Sequence, residues 1–174
     1  MVERSKKMDR DQCGAVAWAI MIPNLNEFGV IPPGIHECTF DEIVERFTNN
    51  EHRRALFVGF LIYAEKYIDV FFQQGLVTAV LFGGSFITDK EKPKDIDVLL
   101  ELTQAFGEHV VKQPETMDAF DQKVTGLKLQ VKPWHPNAPK HLDLLPSFMK
   151  PREADRVARG MGDTDLKGIL RCGL

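Results

Sequence analysis

Apolar residues recur at intervals of three and four between Glu51 and Gln74: Leu56, Phe57, Phe60, Tyr63, Ala64, Tyr67, Val70 and Phe71. That period sets one stripe of a helix against a core, and Gly75 supplies its stop. Upstream, Thr39-Phe40-Asp41-Glu42 has the form of a capping box, with Thr39 as N-cap and Glu42 at the third position. It predicts a short helix to about Phe47, which Asn49 and Asn50 interrupt before capping the next. The period then changes. Val77 to Phe82 is a nearly continuous apolar run closed by Gly83-Gly84-Ser85, and a second strand pattern runs from Asp95 through Val98-Leu99-Leu100. Pro114 breaks residues 103–126, and Thr116 to Val124 predicts a helix. Leu127 to Lys132 alternates strictly, the mark of a half-buried strand. Lys140 to Leu145, around Asp143, reads as another strand after a loop broken by Pro133, Pro136 and Pro139. The charged stretch from Lys150 to Arg159 reads as helical, and Lys167 to Arg171 as a last short strand.

The resulting order is helix, helix, strand, strand, helix, strand, strand. It predicts an α+β fold, a small mixed β-sheet with helices packed on one side. The 174 residues suit one domain over residues 1–174. Residues 1–38 form an N-terminal arm and strap: residues 1–12 are charged, and 23–38 hold Asn, Gly and three prolines. Hydrophobic content of 44% and charged content of 27% are ordinary for a soluble globular protein. The net charge of −3 excludes a global basic field, so contact with nucleic acid would need a local patch. Cys13, Cys38 and Cys172 form no C-x-x-C and point to free thiols in a reducing cytoplasm. Ala15 to Ile22 is far shorter than the ~20 apolar residues of a membrane span.

Candidate chemistry concentrates between Gly84 and Asp97. Asp95 comes ten residues after Ser85, and Ile96 separates Asp95 from Asp97. Alternate strand residues share a face, so Asp95 and Asp97 are expected side by side with Ile96 and Val98 packed behind them. Adjacent carboxylates repel unless a cation lies between them. Two hard oxygen ligands beside a small Gly-Ser turn suit a magnesium-bound triphosphate.

An apolar strand, Gly84-Ser85, a ten-residue spacer and Asp95-x-Asp97 together resemble the DNA polymerase beta nucleotidyltransferase superfamily. Asn24-Leu25-Asn26 followed by Ile31-Pro32-Pro33-Gly34 is also similar to the opening of a group of small prokaryotic proteins of that fold. The resemblance implies a nucleotidyltransferase-like fold with catalytic and metal-ligating carboxylates at Asp95, Asp97 and Asp143. Two magnesium ions, with manganese as a substitute, would act as cofactors. Gly84 and Ser85 would hold the nucleoside triphosphate, with Lys94 beside them. The implied reaction transfers a nucleoside monophosphate to an acceptor hydroxyl, in RNA or protein, and releases pyrophosphate. Small relatives often work with a protein partner, including in toxin–antitoxin or phage-defence pairs. The chain departs from the pattern after Gly-Ser: where many minimal members carry a basic residue and a glycine, it has Phe86-Ile87-Thr88-Asp89. A nucleotide-binding or partner-binding module without chemistry is the alternative.

Each signal also has a plainer reading. Gly83-Gly84-Ser85 can be a turn, and Asp143 a satisfied strand-end acid. Lys90, Lys92 and Lys94 either contact phosphates or form a solvated loop balanced by Asp89 and Glu91. Lys132 and Lys140 flank the Asp143 segment, and Arg152, Arg156 and Arg159 recur at helical spacing. The histidines lack zinc-ligand spacing, and neither a P-loop nor a G-x-G-x-x-G motif occurs.

Overall fold

The structure, a computed structural model, describes residues 21–121 and 127–174. The charged arm, Cys13, Trp18 and the end of the helix expected at Thr116–Val124 lie outside them. A five-stranded mixed sheet organises the chain in the order β1-β5-β2-β3-β4. Its strands are β1 (Ile35–Cys38), β2 (Val77–Gly83), β3 (Ile96–Leu102), β4 (Leu129–Trp134) and β5 (Ile169–Gly173). β2 runs antiparallel to β3 and β5, whereas β3–β4 and β1–β5 are parallel. The strap therefore supplies an edge strand, which its prolines obscure in the sequence.

The expected caps form. Thr39 accepts from the Glu42 amide, and Glu42 accepts from the Thr39 amide, at the start of α1 (Phe40–Phe47). Asn50 caps α2 (Glu51–Tyr63) through the Arg53 amide. The long helix passes through a π-helical turn (Ala64–Ile68) into α3 (Asp69–Gln73) before Gly75 ends it with φ of +68°. Beyond β3 come α4 (Ala105–Lys112) and a 3₁₀ helix (Pro114–Phe120), then α5 (Leu145–Met149) and α6 (Glu153–Ala158).

Strand alternation divides the buried residues into two sets. Val80 and Phe82 of β2, Ile96, Val98 and Leu100 of β3, and Val131 of β4 join Phe57, Phe60, Tyr63 and Phe71 in the main core. Ala79, Leu81, Leu99, Trp134 and Ile169 point to the opposite face, where Leu144, Leu145, Phe148 and Met149 cover them. The helices are thus not confined to one side: α5 lies on the second face. The physical reason is that this face also carries uninterrupted apolar residues at the middle of β2 and β3, which must be covered.

The expected strand at Lys140–Leu145 is absent. β4 already ends at Trp134, and the prolines fold the chain into turns in which Leu142 and Asp143 donate their amides to the Pro139 carbonyl. Leu144 and Leu145 pack as the entry to a helix instead. Cys38 and Cys172, distant in sequence, are register partners on β1 and β5 with their sulfurs 3.1 Å apart, and both are buried free thiols. Among the described residues, no helix is long and apolar enough to cross a membrane.

Candidate active site

Asp97 lies on the second face of the sheet, on the same side as Leu99 and beyond the apolar patch that α5 covers. Ile96 and Val98 are fully buried in the main core behind it, as the alternation requires. Asp95 immediately precedes β3. β2 and β3 bring the Gly-Ser turn to this end of the sheet, because Gly83 pairs with Asp97 in the antiparallel register.

The glycines have separate jobs. Gly84 has φ of +67°, and a Cβ there would stand 1.8 Å from Asp97 Oδ2. The Asp97 carboxylate is therefore seated against the turn, in space that any side chain at position 84 would fill. A Cβ at Gly83 would lie 2.3 Å from the Phe148 ring, so that glycine admits α5 against the sheet. Burial raises the Asp97 carboxyl above the ordinary carboxylate range, and the charge of Asp95 adds to the rise. Lys167, Arg152 and Lys132 oppose it.

The ten-residue spacer is held rigid by the start of α2. Arg53, 3% exposed, donates to the carbonyls of Phe47 (3.1 Å), Phe86 (2.6 Å), Thr88 (2.7 Å) and Lys90 (2.9 Å). Asn50 donates to the Glu91 carbonyl, and His52 Nε2 lies 2.6 Å from the Pro93 carbonyl. Since a carbonyl only accepts, that nitrogen carries the proton. Phe86, Ile87 and Thr88, the residues that depart from the superfamily pattern, are buried. They anchor the loop in the core.

Two cavities meet at Asp97 and share Gly84, Arg152 and Lys167. One, of about 220 Å³, extends past Ser85, Lys90, Lys94, Asp95 and Asp155. The other, of about 150 Å³, extends past Gln130, Lys132, Ser147, Phe148 and Lys150. Lys167 is held between them by its amide, which donates to the Met149 carbonyl, while Gly168 donates to the Ile31 carbonyl of the strap. Burial lowers the Lys167 ammonium below its ordinary range, and Asp97 and Asp155 act against that shift.

The expected site residues thus separate into two groups. Gly84, Ser85, Lys94, Asp95 and Asp97 are brought together. Asp143 is not with them. It sits in the turn before α5, where its Oδ1 accepts from Trp134 Nε1 at 2.9 Å and from the Leu145 amide at 3.0 Å, and it lines neither cavity at Asp97. Gln130 occupies the β4 position in register with Asp97, and its Nε2 donates to Asp95 Oδ2 at 2.6 Å. Among the described residues, no three His, Cys, Asp or Glu side chains converge as a metal-holding group. The donor set that fits a divalent cation is the pair Asp95 and Asp97, two hard oxygens in a position where burial and mutual repulsion favour a countercharge.

Of the arginines at helical spacing, only Arg152 lines the Asp97 cavities. Arg156 pairs with Asp163, and Arg159 pairs with Asp89 at 2.7 Å while donating to the Phe28 carbonyl. Sequence reading missed Lys150, Lys167, Gln130 and Asp155 as site residues and Arg53 as their organiser. Lys167 carries no local signal, since it is a lone basic residue in a loop, and Lys150 reads as the start of a charged helix. Arg53 hides on a helix whose other arginine, Arg54, is exposed.

The chain belongs to a family of unknown function, DUF6932, whose profile matches residues 23–170. No curated protein matches the chain, and no solved structure does.

Proposed function

We propose that this member of the DUF6932 family is a metal-dependent nucleotidyltransferase of polymerase beta-like fold. It would move a nucleoside monophosphate from a nucleoside triphosphate to an acceptor hydroxyl in RNA or protein. The observation that carries the reading is the seating of the Asp97 carboxylate on the Gly84 turn, beside Asp95 and within a ring of cations. The same reading makes it a cytoplasmic enzyme acting with a protein partner, in a toxin–antitoxin or phage-defence pair.

In this mechanism the acceptor oxygen attacks the α-phosphorus and the bond from that phosphorus to the bridging oxygen breaks. Pyrophosphate leaves, and the hydroxyl proton passes to solvent. Asp95 and Asp97 would hold magnesium, which supplies countercharge to the phosphate oxygens. Gly84 and Ser85 line the cavity that would take the β and γ phosphates. Lys90, Lys94, Arg152 and Lys167 set positive charge around it, where the transition state accumulates negative charge. Arg53 acts at a distance by fixing the carbonyls of the loop from which Lys90 projects.

A second reading is a nucleotide-binding module without turnover. Gln130 stands in register with Asp97, and the Asp143 carboxylate is engaged by Trp134, so the third ligand that the resemblance implies does not join Asp95 and Asp97. One experiment separates the readings. Each α-phosphate-labelled nucleoside triphosphate is incubated with magnesium or manganese, the protein and cell extract, beside an Asp95→Ala, Asp97→Ala control. Label transferred to RNA or protein only by the wild type supports the transferase. Metal-dependent nucleotide binding with no transfer supports the module, and absence of both rejects the site.

A further inference from the structure

The two cavities at Asp97 differ in chemistry, and the difference bears on the acceptor. On the Ser85 side, Asp95 and Asp155 interleave with the cations, and Lys90 lies 3.6 Å from Asp155. On the β4 side, Asp97 at the junction is the only carboxylate in the lining, whereas Lys132, Lys150, Arg152 and Lys167 contribute four cationic groups. Lys132, Lys150 and Arg152 form no ion pair with a described residue. Lys132 projects from β4, Lys150 follows α5, and Arg152 precedes α6. β4, the Lys150-Pro151-Arg152 connection and the loop of Lys167 thus converge positive charge on one small space, in a chain whose net charge is −3.

We infer that this β4-side cavity is the acceptor subsite, and that it receives the sugar–phosphate end of a single-stranded nucleic acid. The inference rests on the nucleotidyltransferase reading above. Concentrated positive charge without paired carboxylates is recognition chemistry for a polyanion. The hydroxyl of a protein side chain brings no charge to offset these cations. A strand end needs only a backbone phosphate inside, with its bases outside and its terminal 3′ hydroxyl toward Asp97. RNA and DNA share this chemistry.

The test uses the full chain, fluorescein-labelled single-stranded RNA and DNA oligonucleotides with free 3′ hydroxyls, and a non-hydrolysable nucleoside triphosphate analogue with magnesium. Oligonucleotide binding is followed by anisotropy across a salt series, and analogue binding by calorimetry, for the wild type and a Lys132→Ala, Lys150→Ala variant. Both lysines are exposed, and a thermal melt verifies that the variant folds. The expected result is wild-type binding of at least one oligonucleotide, weakened tenfold or more in the variant. The slope of log affinity against log salt should fall by about 1.4, two phosphate contacts at about 0.7 each. Analogue binding should weaken far less than oligonucleotide binding, because neither lysine lines the Ser85-side cavity and Lys132 reaches it only through its charge on Asp97. A preference for RNA or for DNA identifies the source of the backbone. Equal oligonucleotide binding by variant and wild type overturns the subsite. So does a wild type that binds the analogue but neither oligonucleotide, or label transferred only to protein. Failure of the wild type to bind the analogue with magnesium rejects the underlying nucleotidyltransferase reading instead.

Discussion

Replacing Gly84 with alanine tests the centre of the site, because two costs coincide there and can be separated. The first is conformational: φ is +67°, and a left-handed backbone costs an L-residue about 1–2 kcal/mol. The second is steric. The new Cβ would be 1.8 Å from Asp97 Oδ2, 2.7 Å from its Cγ and 2.9 Å from its Cβ. The carboxylate must swing away, at roughly 0.5–1.5 kcal/mol for an off-rotamer side chain. Gly75 is the matched control, with φ of +68° and nothing within 4 Å of a built Cβ. Gly75→Ala should therefore lose only the conformational part, about 1–2 kcal/mol in urea denaturation. Gly84→Ala should lose about 2–3 kcal/mol. The functional separation should be larger, because displacing a reacting geometry by about 1 Å can cost about 100-fold. Magnesium-dependent nucleotide binding, measured by calorimetry, should collapse in Gly84→Ala and persist in Gly75→Ala. Equal stability losses together with retained binding in Gly84→Ala would refute the claim that Asp97 is seated on the turn.

Two other perturbations follow from buried charge. Asp97 has a raised pKa in the folded protein, so ionising it opposes folding. Below the ordinary value of 3.8 the folded and unfolded chains are both protonated and no penalty arises; the penalty grows as pH rises through the raised value. Without divalent cation, Asp97→Asn should thus melt above the wild type at neutral pH, with the gain shrinking toward pH 4. Thermal melts across that range check this, and a gain that grew on acidification would contradict it. Arg53→Ala removes four donations to loop and helix-end carbonyls. At about 1.5–3 kcal/mol for a hydrogen bond involving a charged group, the variant should lose at least about 3 kcal/mol in urea denaturation. Where it still folds, hydrogen exchange should show residues 86–93 opening first; a loss below about 1 kcal/mol would show that the loop does not depend on Arg53.

Local signals with a definite stereochemical cause were legible in the chain. The Thr39 capping box, the Asn50 cap, the Gly75 stop and the alternation through Asp97 each depend on residues within a few positions of one another. The strand expected around Asp143 failed for a tertiary reason. His141-Leu142-Asp143-Leu144-Leu145 carries apolar residues compatible with a strand, but a strand needs a partner, and the second face needed a cover more than the sheet needed another edge. Leu145 and Phe148 satisfy that need as a helix. The same asymmetry hid β1, whose four residues pair only with β5, more than 130 positions later.

The site was legible where its residues are close in sequence and illegible where the fold assembles them. Asp95, Asp97, Gly84 and Ser85 form one strand–turn–strand unit, so their spacing could speak for them. Lys132, the Lys150-Pro151-Arg152 connection and Lys167 come from separate parts of the chain, and the sheet's second face is what gathers them. Position 130 makes the same point. Gln130 is unremarkable in an alternating strand, yet the parallel register sets it beside Asp97 and its amide against Asp95. A carboxylate there would have added a third like charge to a half-buried pair. An amide instead donates to Asp95 and leaves Lys132, two positions along β4, without a carboxylate beside it. Glutamine at this position therefore keeps the β4 side of the cavity more positive than a carboxylate would.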